Sequence, residues 1–422
     1  MLGAMRWARV AVAISLAGCR GQSAPAMAHA GSNGPTVAAA TATPGPSKGT
    51  VEGGVRPHHE DVVVECGAQI PDSADDDTRV SALLDEANKD IENGLYAAAW
   101  TCADRATDLA PTSVEANHLR GAALAALGRD SEAQTAYSLA LALDPDDPET
   151  CRAVADFYIN GKGDRSRDAL RLGLELAERG SRRALARRRR NAPLAADLAV
   201  LEAQALDDLG RSDEALERVD AALRIAPNRG DALHEKGVAL FDLSRFADAK
   251  VALTKALAVQ PDDAYTHQML GLTLEQLGEG AAAETELQKA VTLAPGELYP
   301  PVLIPVPEFQ KEIDAVIATL SPERQAHIKA IKVEIEDLPD PADLKAVTPP
   351  FPPTILGLYR GPVGRTPLPG DEPPSIVLYR KNLARAVKTR TELTEQIRDT
   401  LLHEIGHLEG LDEDDLRRRG ME

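Results

Sequence analysis

Residues 228–261 read NRGDALHEKGVALFDLSRFADAKVALTKALAVQP, and residues 262–295 read DDAYTHQMLGLTLEQLGEGAAAETELQKAVTLAP. Each block is 34 residues long and closes on proline, and the two align without a gap. Gly237 falls over Gly271, Ala249 over Ala283, and Ala256 over Ala290. Outward from this pair, Pro111, Pro145, Pro193, Pro227, Pro261 and Pro295 keep the same phase, with four of five intervals equal to 34. The exception, Pro145 to Pro193, is 48 residues: one repeat plus 14. Small residues hold their offsets throughout: Ala99, Ala133 and Ala215 join one column, Ala106, Ala140 and Ala222 the other. Gly121 shares the column of Gly237 and Gly271, and Gly94, Gly128, Gly210 and Gly278 form a turn column. Small residues in fixed columns mark places where helices approach closely.

This phase resembles the tetratricopeptide repeat, two antiparallel helices per 34 residues. An isolated helix pair cannot bury its apolar face, so the pairs must stack. Six repeats are expected over 78–296, wound into a superhelix whose groove, as the resemblance implies, takes a polypeptide substrate or protein partner. The alternative is a spacer that only positions the C-terminal region. The 14-residue insertion falls in the third repeat, where 165–190 is expected as one prolonged helix ending in Arg182, Arg183 and Arg187 to Arg190. That basic run suits an anionic surface or, more simply, a helix C-terminus paired with nearby carboxylates.

The chemistry sits near the C-terminus, where His403-Glu404-Ile405-Gly406-His407 is an H-E-x-x-H signature. On a helix the two imidazoles lie one turn apart on the same face and can reach one ion, with Glu404 placed as a general base rather than a ligand. Such a catalytic zinc site takes three protein ligands, so a third is required. Gly410 allows the helix to end and the chain to turn back. The acidic run Asp412, Glu413, Asp414 and Asp415 then offers a carboxylate within reach, Glu413 falling where the metzincin pattern has a third histidine.

Upstream, Ile335-Glu336-Asp337-Leu338-Pro339, Ile355-Leu356-Gly357-Leu358-Tyr359-Arg360-Gly361, Ile376-Val377-Leu378-Tyr379-Arg380 and Thr400-Leu401-Leu402-His403 follow in order. With the H-E-x-x-H signature this set resembles the small bacterial zincin-like family of zinc metallopeptidase-like proteins, over 300–422. The resemblance implies a compact α+β unit and one zinc per chain. His403 and His407 would be ligands, Glu404 the base, and Glu413 (alternatively Asp412) the acidic third ligand. Tyr359 and Tyr379 are candidate oxyanion stabilisers, or else tyrosines that merely pack on the sheet. The residues themselves predict helices over 308–320 and from Ser321-Pro322, strands at 331–335, 355–358 and 376–379, and a proline-rich loop over 339–353. The fold class is therefore multidomain: an all-α repeat superhelix followed by a small α+β zincin-like domain.

The N-terminus reads as a targeting segment. Arg6 and Arg9 precede a short apolar run, Val10 to Leu16, and Leu16-Ala17-Gly18-Cys19 resembles a lipobox. This implies a signal peptide over 1–18, lipidation of Cys19, and a bacterial envelope location on the periplasmic face of the outer membrane. Residues 19–60, rich in Ala, Gly, Ser, Thr and Pro, are expected to tether the folded body, with 61–77 as an entry segment. Cys66, Cys102 and Cys151 remain, an odd number that leaves at least one thiol unpaired; the pairing stays open, a Cys66–Cys102 bridge from the entry segment to the first repeat being one candidate. A net charge of −19 excludes nucleic acid as the principal partner. The expected function is a membrane-anchored zinc peptidase. Its rival is a non-enzymatic adaptor or chaperone lipoprotein with a structural or vestigial metal site.

Overall fold

The computed structural model describes residues 10–12, 64–161, 166–186, 191–361, 373–411 and 413–418. Cys19, the 19–60 tether, Arg187 to Arg190 and Asp412 lie outside the described residues. The described residues form two compact units, one holding 64–145 and the other 10–12 with those from 146 onward.

In the first unit, α1 (Asp76–Glu92) and α2 (Tyr96–Leu109) form one helix pair, and α3 (Val114–Ala126) and α4 (Asp130–Leu143) a second. Leu83, Leu84, Ala103, Ala106 and Leu119 share its core. The entry segment is pinned to this core by a Cys66–Cys102 disulfide and by a hydrogen bond from Thr101 Oγ1 to the Val64 carbonyl at 2.9 Å. Cys151 is free and buried.

The second unit continues the repeats with α5 (Pro148–Asn160), α6 (Arg167–Ala184), α7 (Ala192–Asp208), α8 (Ser212–Ile225), α9 (Gly230–Asp242), α10 (Phe246–Val259), α11 (Ala264–Gln276) and α12 (Gly280–Leu293). The reason for glycine in the first-helix column is steric. A Cβ on Gly237 would lie 2.4 Å from the Leu253 side chain, and one on Gly271 would lie 2.6 Å from Leu287. The turn column takes a left-handed backbone at Gly94, Gly128, Gly210 and Gly278, and Ser244 takes the same turn with φ 54.

The prolonged helix expected over 165–190 is corrected. α6 stops at Ala184, and the Asn191 side chain caps α7, which carries Pro193 in its first turn. Proline there suits a helix start and not a continuation. The insertion is instead shared between connections and longer helices, α6 having 18 residues against 14 in α8. Arg182 and Arg183 occupy the last turn of α6 and pair with Glu178 and Asp146, the solvated-helix-end arrangement.

After the repeats come α13 (Val306–Thr319), α14 (Pro322–Lys329, capped by Ser321), β2 (Lys332–Glu336), α15 (Pro341–Leu344), β3 (Gly357–Arg360), β4 (Ser375–Tyr379), α16 (Arg380–Arg385), α17 (Arg390–Leu408) and α18 (Glu413–Arg418). The sheet runs β1-β3-β4-β2, where β1 is Val10–Val12. β2 is parallel to β4, β3 is antiparallel to it, and β1 lies antiparallel along the outer edge of β3. The strand expected at 355–358 forms two residues later, at 357–360.

Both faces of this sheet are covered. Tyr359, Ile376 and Leu378 pack with Leu393, Ile397, Leu401 and Ile405 of α17 and with Phe309 and Ile313 of α13. The four α17 residues are fully buried, worth roughly 1.5–3 kcal/mol each. On the opposite face Leu358, Val377 and Tyr379 share a core with Phe241, Phe246 and Leu272 of the repeats. Among the described residues no helix is long and apolar enough to cross a membrane.

Candidate metal centre

α17 is fixed at both ends. Thr389 and Glu392 form a capping box at its start, each side chain bonding to the other's backbone N–H. Nearby, Arg390 reaches Glu308 at 2.9 Å and Glu312 at 2.8 Å on α13, and the Thr394 hydroxyl donates to Glu312 at 2.9 Å. Arg390 and Thr394 together hold the Glu312 carboxyl below the usual glutamate range. At the other end Gly410 takes φ 86, the Gly410 N–H bonds to the His407 carbonyl at 3.0 Å, and the Leu411 N–H bonds to Gly406 at 2.9 Å. This pair of bonds is a Schellman turn, the role expected of Gly410.

Near the end of α17, His403 and His407 face one another with ring centroids 4.7 Å apart and planes at 75°. Both are buried, as is Glu404 between them in sequence. The turned-back chain brings the Leu411 carbonyl 3.0 Å from His407 Nδ1. A carbonyl only accepts, so Nδ1 is the donor in this bond. This backbone bond to the far nitrogen is the arrangement that orients a metal-ligating histidine. The Nε2 atoms of His403 and His407 and Oε2 of Glu404 are all enclosed. Two imidazoles on one face with a carboxylate beside them are a borderline-soft nitrogen donor set that suits zinc.

Glu404 sits against β3. A Cβ at Gly357 would lie 2.6 Å from Thr400 Cγ2 and 3.1 Å from Glu404 Oε1, so the helix packs directly on the strand backbone at Glu404. This role of Gly357 was not read from the sequence, although the glycine stands inside the strand motif quoted for the family. Glu413 opens α18, four residues beyond the end of the H-E-x-x-H helix at Glu409, which caps it. Among the described residues no group of three His, Cys, Asp or Glu side chains converges on one point.

The two tyrosines separate. Tyr379 packs on the repeat side of the sheet, and burial pushes its phenol strongly up. Strand alternation is the reason, since Leu378 takes the α17 side and its neighbour must take the other. Tyr359 is on the α17 side, its ring in the core and its hydroxyl beside Gly361 and Pro374, with burial again raising the phenol. His327 lies 3.5 Å from Glu409, a carboxylate that also faces Arg324 at 3.7 Å.

Comparison with known proteins bears on both halves. Residues 84–148 and 234–297 match the tetratricopeptide repeat model, and residues 328–421 match the Zincin-like metallopeptidase model. Among solved structures, PilF of Pseudomonas aeruginosa is 16% identical with a TM-score of 0.44, covering 56% of this chain and 99% of its own. PilW, described as a widely conserved type IV pilus biogenesis factor, is 16% identical with a TM-score of 0.45, over 51% of this chain and 94% of its own. YrrB, described as a tetratricopeptide protein with an unusual peptide-binding site, is 16% identical with a TM-score of 0.35, over 46% and 93%. No curated protein sequence matches significantly. The chain carries tetratricopeptide repeats followed by a C-terminal zincin-like metallopeptidase domain.

Proposed function

We propose that the protein is a zinc-dependent peptidase of the bacterial envelope, anchored through a lipid on Cys19, whose repeats bring a polypeptide to the zincin-like domain. The observation that carries the hydrolytic part is the enclosed pair His403 and His407, with Glu404 packed against the β3 backbone. His403 and His407 would hold the metal, with an acidic third ligand from Glu413 or Asp412. Zinc held there would supply a Lewis acid and lower the pKa of water toward about 7.

The rest falls to the chain. The Glu404 carboxylate takes the proton of the attacking water and passes it to the leaving amine. Burial of Glu404 excludes competing solvent and holds its carboxylate in one place. The outer edge of β3 accepts a strand antiparallel, as Val10–Val12 does here, which suits an extended peptide held by backbone hydrogen bonds. Anchoring is supported by Leu16 to Cys19 and the proline- and alanine-rich stretch after it.

The test is metal analysis of the purified protein with hydrolysis of a broad peptide library. One zinc per chain, with hydrolysis lost to a chelator and restored by zinc, is the expected result. Full zinc occupancy without turnover would replace the peptidase by an adaptor or chaperone with a structural metal.

A further inference from the structure

The sheet behind the H-E-x-x-H helix has a second face, and the repeats supply its cover. Leu358 and Val377 are fully buried, as is Tyr379, and the residues against them are Phe241, Phe246 and Leu272 of repeats five and six. Beside this apolar contact lies an ionic one. Glu275 of α11, its side chain only 8% exposed, takes Lys381 on one carboxylate oxygen at 3.1 Å and Arg385 on the other. Leu272 and Glu275 are three residues apart on one helix and so share a face. Both cations belong to α16, which begins where β4 ends, and α16 is also tied to the end of β2 by the Lys381 N–H to the Asp337 carbonyl at 3.1 Å. A carboxylate this buried is tolerated only while its charge is answered, so the arrangement is specific to these two partners.

We infer that the face of repeats five and six carrying Phe241, Leu272 and Glu275 is a docking surface whose partner is the chain's own zincin-like domain. The two repeats are thus the back wall of the metal-site sheet. A polypeptide recruited by the array must bind elsewhere on it, because this stretch is already filled. The inference does not depend on the hydrolytic reading and stands for an enzyme or an adaptor alike.

The experiment is a charge reversal in the full chain, read by amide hydrogen exchange. Glu275→Arg sets three cations together. It should speed exchange in β3, β4 and α17 at least tenfold while leaving α5 to α8 as they are. Adding Lys381→Glu and Arg385→Glu to the same chain reverses the pair and should return β3, β4 and α17 to within twofold of the parent. Should Glu275→Arg not accumulate as folded protein, Glu275→Gln, which keeps the shape and leaves both cations unanswered, is read in the same way. Unchanged exchange in β3, β4 and α17 on altering Glu275 would overturn the inference. So would loss that the reversed pair does not restore. Peptide hydrolysis is not measured here, so an inactive chain leaves the result fully readable.

Discussion

The His407 ring and the Leu411 carbonyl are joined by one turn: Nδ1 lies 3.0 Å from the oxygen, and Gly410, with φ 86, makes the reversal that brings it there. Helix termination and orientation of a candidate ligand are therefore a single structural event. Gly410→Val forces a β-branched side chain into a left-handed conformation that costs it about 1–3 kcal/mol. Loss of the backbone bond to a ligating histidine typically weakens metal binding about 10–100-fold. Zinc titration of Gly410→Val should show a drop of that order; unchanged affinity would mean that the turn does not orient His407.

Gly357 sets how closely α17 approaches the sheet. Gly357→Ala places a methyl 2.6 Å from Thr400 Cγ2 and 3.1 Å from Glu404 Oε1, so strand or helix must shift. Overpacking of this kind costs about 1–3 kcal/mol. Thermal unfolding should show it, and kcat should fall with KM little changed, because the displaced group is the proposed base. Wild-type stability and kcat would contradict the close approach.

Ser244 occupies the turn column that elsewhere is glycine, with φ 54 and a buried hydroxyl that has no hydrogen-bond partner among the described residues. Ser244→Gly relieves both. It should stabilise the protein by about 1 kcal/mol despite the greater freedom of glycine in the unfolded chain. Denaturant unfolding that showed equal or lower stability would oppose this reading.

The Cys66–Cys102 bridge closes a 36-residue separation in a small helical unit. Such a bridge typically contributes about 2–4 kcal/mol. A Cys66→Ala, Cys102→Ala pair should lower the melting temperature of the 64–145 region, and reductant should do the same to the parent but not to the variant.

The repeats were legible because their phase recurs: a single glycine or alanine says little, whereas Gly237 over Gly271 and Ala249 over Ala283 fix two helices at once. H-E-x-x-H and Gly410 were legible because a local motif dictates a local geometry. The length of α6 was misread because a run of arginines carries no stop signal: the helix is capped at Leu185, and Asn191 beyond the run caps the start of the next one. The two-sided burial of the sheet is encoded in the unbroken apolar run Ile376-Val377-Leu378-Tyr379, since a strand exposed on one face would alternate, but the run was read only as a strand. What covers the second face was not visible, because Phe241 and Leu272 contact β4 across more than a hundred residues of chain and no local pattern encodes that meeting. The side that Tyr379 takes was illegible for the same reason: in a run apolar at every position, periodicity cannot say which side a residue takes.

The central claim is that Glu404 works on water at a metal held by His403 and His407. It is tested most directly by comparing zinc-loaded parent and Glu404→Gln on the same peptide library. Both should bind one zinc per chain, and Glu404→Gln should hydrolyse peptide about 10²–10⁴ times more slowly. Equal rates at equal zinc occupancy would contradict the account.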